Sequence, residues 1–104
     1  MKIKRLLIPK STIEEFAEQH DLIMEVRERE TGANNPDRYY ARFENAEARE
    51  GESCLIGLFG NGVTPQSAIY DYSRQISMRT LIIKAMSRDR REIKVPRLTP
   101  TNTP

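Results

Sequence analysis

Ser53-Cys54-Leu55-Ile56-Gly57-Leu58-Phe59, followed by Gly60-Asn61-Gly62-Val63-Thr64-Pro65-Gln66-Ser67-Ala68-Ile69, is the stretch whose reading decides the fold. Its first seven residues are the most apolar of the early strand-like segments and read as a β-strand. Gly60 and Gly62 permit a tight exit from that strand, Thr64 offers a capping hydroxyl, and Pro65 suits the first position of a helix. Ala68, Ile69, Tyr72 and Ile76 then recur at helical spacing and predict a helix that runs to about Ser77.

Working outward toward the N-terminus, Arg38 to Asn45 carries Tyr39, Tyr40 and Phe43 and predicts another strand. Glu47 to Glu52 reads as a charged turn between the two. Further back, Leu22, Met24 and Val26 alternate with Ile23, Glu25 and Arg27, a strand that the Gly32, Asn34, Asn35 and Pro36 cluster ends. Ser11-Thr12-Ile13-Glu14 has the form of a capping box in which Ser11 and Glu14 satisfy each other's backbone, and Ile13, Phe16, Ala17 and His20 follow at helical spacing. Residues 1–10 read as a basic arm or edge strand.

Toward the C-terminus, Leu81-Ile82-Ile83 lies in a buried strand from Thr80 to Met86. Ser87 to Arg91 turns the chain, and Glu92 to Val95 is a last short strand ended by Pro96. Residues 97–104 are expected to be a disordered tail. The sum is a single α+β domain over residues 11–96, ordered α-β-β-β-α-β(-β), with two helices on one face of an antiparallel sheet. The short connections favour an antiparallel meander.

Composition fits one thin core. The 104 residues are 38% hydrophobic and 31% charged, so much of the surface is solvated. The single cysteine, Cys54, forms no internal disulfide, which points to a reducing, cytoplasmic setting, and its strand context predicts a small buried side chain. No run approaches the ~20 apolar residues of a membrane span. The net charge of +2 conceals a gradient: residues 1–10 hold four bases and no acid, residues 11–52 twelve acids and five bases, and residues 53–95 seven bases and three acids.

Catalysis finds no home in these residues. His20 ends a helix, where a ring packs and favours the negative terminus. One His and one Cys do not make a zinc site, no acidic run matches a calcium loop, and no carboxylate is signalled in an apolar pocket. Gly60-x-Gly62 lacks the third glycine of a nucleotide-binding turn. No cofactor is expected. The densest basic group is Arg88, Arg90, Arg91 and Lys94 at a predicted hairpin, which Arg74, Arg79 and Lys84 extend. Arginine forks pair well with phosphates and carboxylates, so this is the first candidate for a partner-binding surface. Tyr40 with Arg42 is the second, since one of Tyr39 and Tyr40 must stand on the open sheet face.

The order helix, three strands, Gly60-Asn61-Gly62-Val63-Thr64 turn, helix resembles that of double-stranded-RNA-binding domains. That family grips phosphates with lysines at the start of its second helix. Pro65-Gln66-Ser67-Ala68-Ile69-Tyr70-Asp71 has none, and the first helix is acidic. The three strands followed by a helix also resemble HicB-type antitoxins, which bind a small toxin. Thr12-Ile13-Glu14-Glu15-Phe16-Ala17, Met24-Glu25-Val26, Tyr39-Tyr40-Ala41-Arg42-Phe43, Gly60-Asn61-Gly62-Val63-Thr64-Pro65 and Arg90-Arg91-Glu92-Ile93-Lys94-Val95-Pro96 resemble segments of small uncharacterised bacteriophage and prophage proteins.

The resemblance to phage accessory proteins implies a non-enzymatic protein that binds and inhibits or regulates a host protein or nucleoprotein complex in the host cytoplasm, an anti-CRISPR or other anti-defence role included. A second reading is nucleic-acid binding through the basic arm and hairpin. A third is self-association, as a homodimer or antitoxin-like assembly, through an open sheet edge or bare sheet face.

Overall fold

The structure, a computed structural model, describes residues 10–30, 37–52 and 54–99 and shows a mixed α+β domain. The chain opens with β1 (Lys10–Thr12) and enters α1 (Ile13–Gln19). The capping box is present, one residue later than expected: the Thr12 hydroxyl accepts the Glu15 amide at 3.1 Å, and the Glu15 carboxylate accepts the Thr12 amide at 3.2 Å. Ser11-Thr12-Ile13-Glu14-Glu15 satisfies the motif in both registers, and the helix takes the second, with Ile13 and Phe16 on its buried side.

β2 (Met24–Glu28) pairs antiparallel with β3 (Tyr39–Phe43), matching Met24 to Phe43 and Glu28 to Tyr39. Two residues later the chain resumes as β4 (Ala46–Glu50), which takes different partners. Asn45, at φ 57°, makes the bend, a conformation asparagine tolerates better than most residues. The expected charged turn at Glu47–Glu52 is therefore largely a strand: Ala46 and Ala48 face the core, while Glu47 and Arg49 point outward.

The expected single strand at Ser53–Phe59 is likewise divided. β5 (Cys54–Ile56) pairs with β4, and β6 (Gly60–Gly62), where a turn was expected, pairs with β3. The strand pairs β3–β6 and β4–β5 are thus two arms of one bent antiparallel ribbon. β2 adds to the first arm. β7 (Thr80–Ile83) adds to β4 on the second and carries β8 (Arg91–Lys94) on its other edge.

α2 (Pro65–Ile76) starts at the expected cap, with the Thr64 hydroxyl accepting the Ser67 amide at 3.1 Å. It packs on β6, β3 and β2. Gly60 and Gly62 exist for this approach and not for a turn. A Cβ built on Gly60 would lie 2.1 Å from the Ala68 carbonyl oxygen, and one on Gly62 would lie 2.1 Å from the Ser67 hydroxyl. Both helices feed one core: Ile13 and Phe16 from α1 and Ala68, Tyr72 and Ile76 from α2 join Phe43, Leu81, Ile83 and Ile93. Phe43 meets Tyr72 edge-on at 5.5 Å.

Residues 97–99, expected within a disordered tail, are instead a strand. Arg97–Thr99 form β9, which pairs in parallel with β1 and buries Leu98. The basic arm at residues 1–9 and the tail at 100–104 lie outside the described residues.

Candidate functional site

α2 covers one face of β2–β3–β6 and leaves the other bare. Side chains alternate across a strand, so those opposite the buried Ala41 and Phe43 stand on the bare face. They are Tyr40 and Arg42 from β3, Glu25 and Arg27 from β2, and Asn61 from β6. Phe59, just before β6, joins them at 39% exposure.

The two rings meet at 5.8 Å with an interplanar angle of 75°. A guanidinium lies over each: Arg29 is 4.8 Å from the Tyr40 centroid and Arg42 is 5.4 Å from that of Phe59. Both separations fall within cation–π range. Arg29, Tyr40, Arg42 and Phe59 together border a shallow cleft of about 380 Å³. Arg29 is anchored by donating to the Asp37 backbone carbonyl at 2.6 Å.

Three arginines, Arg27, Arg29 and Arg42, gather on this side of the sheet, where Glu25 serves both Arg27, at 3.0 Å, and Arg42, at 3.9 Å. At the rim Arg38 is paired with Glu28 at 2.5 Å. The Arg38 guanidinium holds the Glu28 carboxyl below the usual range, assisted by Tyr39. Two covered polar atoms on the face, Arg42 Nε and Asn61 Oδ1, find no hydrogen-bond partner among the described residues.

The outer face of β5–β4–β7–β8 is built differently. Ile82 on β7 is wholly buried although it points away from the helices, and on the same outer face Arg49 and Glu92 pair at 3.2 Å. That ion pair joins the two strands flanking β7 and balances its own charge.

The basic residues predicted around the hairpin do not form one patch. Arg74 on α2 pairs with Asp71 at 2.8 Å, and Arg79 pairs with Glu50 at 3.1 Å. Arg91 donates to the His20 carbonyl at 2.8 Å. Lys84, Arg88 and Arg90 are exposed in the β7–β8 connection, and Lys94 is exposed on β8. Tyr40 and Arg42, by contrast, are brought together with Arg29 and Phe59. Those two escape a sequence reading because Arg29 lies just beyond β2 and Phe59 looked like the end of a buried strand.

Asp71 knits the second helix to the ribbon. Burial pushes its carboxyl up, but the Asn61 amide at 2.9 Å, Arg74 and Gln75 outweigh that and hold it below the usual aspartate range. Among the described residues there is no group of three or more His, Cys, Asp and Glu placed to hold a metal ion. The His20 ring packs on Phe16 at 4.7 Å. Cys54, expected to be buried, is exposed, because β5 is an edge strand. A separate concavity of about 590 Å³ between α1 and α2 is lined in part by Ile13, Ala17, Met24, Ile69 and Tyr70. No helix of the described residues is long and apolar enough to cross a membrane. Comparison with protein-family models, with curated proteins and with solved structures found no match.

Proposed function

We propose that this chain is a non-enzymatic binding protein that docks on a larger protein or nucleoprotein complex and inhibits or regulates it, as small phage accessory proteins do. The observation that carries the reading is the bare β2–β3–β6 face, where Arg27, Arg29 and Arg42 gather beside two partly exposed rings. Aromatic and arginine side chains dominate binding energy where surfaces meet, and arginine forks suit an anionic partner. The face also rests on a rigid support, since β6 and α2 are in direct backbone contact beneath it.

Affinity capture from bacterial lysate with three proteins tests this. The wild type should retain a defined partner, Arg29→Glu with Arg42→Glu should lose it, and Arg88→Glu with Arg90→Glu should keep it. Circular dichroism establishes that each variant is folded. Equal retention by the first double variant and the wild type would remove the sheet face from the account.

A further inference from the structure

We infer that the bare β2–β3–β6 face binds single-stranded nucleic acid, which deepens the docking reading above and rests on it. Two features select this ligand over an acidic protein surface. The guanidinium groups of Arg27, Arg29 and Arg42, gathered on one side of the sheet, complement a phosphate backbone. Arg29 and Arg42 lie over the Tyr40 and Phe59 rings, so the face offers stacked guanidinium and aromatic planes, both of which stack unpaired bases.

A duplex fits less well. Groove recognition inserts a helix or ribbon, and here the concavity is shallow and the adjoining helix α2 lies on the opposite side of the sheet. Bases must be splayed and free to reach these planes. The ligand is therefore unpaired RNA or DNA, held through backbone charge and stacking and with little dependence on sequence.

Fluorescence anisotropy with labelled oligo-dT and oligo-rU of about 15 nucleotides, a duplex of equal length and poly-glutamate as competitor tests the inference. Single strands should bind more tightly than the duplex. Three arginines give a slope of log K against log salt near −2, so affinity should fall roughly 20-fold between about 50 and 200 mM salt. Tyr40→Ala with Phe59→Ala, and Arg29→Ala with Arg42→Ala, should each weaken binding at least about tenfold while circular dichroism stays unchanged. Arg88→Glu with Arg90→Glu should change it by less than about threefold, because those side chains lie on another surface.

Absence of oligonucleotide binding by folded protein at low salt overturns the inference, as does loss confined to the hairpin variant. Equal displacement by poly-glutamate and by unlabelled single strand also overturns it, in favour of an acidic protein partner. Capture from nuclease-treated lysate separates the two readings: a partner that the sheet-face variant still loses there leaves docking intact while this ligand fails.

Discussion

Replacing Gly60 by alanine is the sharpest test of how the site is supported. The added methyl group would meet the Ala68 carbonyl oxygen at 2.1 Å, the Tyr72 amide nitrogen at 2.3 Å and Tyr72 Cβ at 2.5 Å. Two of these are main-chain atoms in the middle of α2, so no rotamer change relieves the overlap and the helix must move off the ribbon. Overpacking a dense interior costs about 1–3 kcal/mol, and a backbone obstacle places this substitution at the top of that range. Alanine narrows the unfolded ensemble and returns about 0.5 kcal/mol. The net loss is then about 2.5 kcal/mol. For a domain of this size that lowers Tm by roughly 10–20 °C. Urea denaturation followed by circular dichroism should show a lower midpoint with an unchanged slope. Gly57→Ala is the control, since its nearest neighbour is the rim of Phe59 at 4.0 Å. If the two variants differ by less than about 0.5 kcal/mol, the close packing of α2 on β6 is not what demands glycine.

Two other outcomes follow from the same interactions. Asp71 accepts three hydrogen bonds that favour its charged form, so its folded pKa lies below its unfolded one. The stabilisation is complete above the ordinary aspartate pKa of about 4 and drains as pH falls through the lower folded value. Asp71→Asn should flatten that acid limb of the stability curve, and identical limbs would refute the assignment. Ile82→Ala should cost about 2–4 kcal/mol in chemical denaturation despite facing away from the helices, because its side chain is wholly buried. A cost below about 0.5 kcal/mol would refute that burial.

Much of the architecture is legible from periodicity. The helical stripe of Ala68, Tyr72 and Ile76, the alternation around Met24 and Val26, and the apolar Leu81-Ile82-Ile83 run all lie in the elements they predict. What is lost depends on small residues. Ala46 and Ala48 alternate with Glu47 and Arg49 as a strand requires, but alanine favours strands weakly and the neighbouring charges suggest a turn. The glycines at 60 and 62 raise the same difficulty from the other side. Glycine serves a turn and a close helix contact equally, and only the position of α2 distinguishes them. The candidate face is half legible for a related reason. Tyr40 and Arg42 share one strand and show their alternation, whereas Arg29 and Phe59 reach them only through cross-strand geometry.

The parallel pairing of β1 with β9 makes distant parts of the chain share one fate. Thr12 is at once the last rung of that ladder, opposite Thr99, and the residue that starts α1. Leu98 is fastened in turn, its amide donating to the Ser77 hydroxyl at 3.0 Å at the end of α2. Peeling β9 away therefore strips the strand that leads into the first helix of its partner and removes a hydrogen bond at the end of the second. Bringing ends this far apart in sequence together costs loop-closure entropy that the short ladder alone must offset.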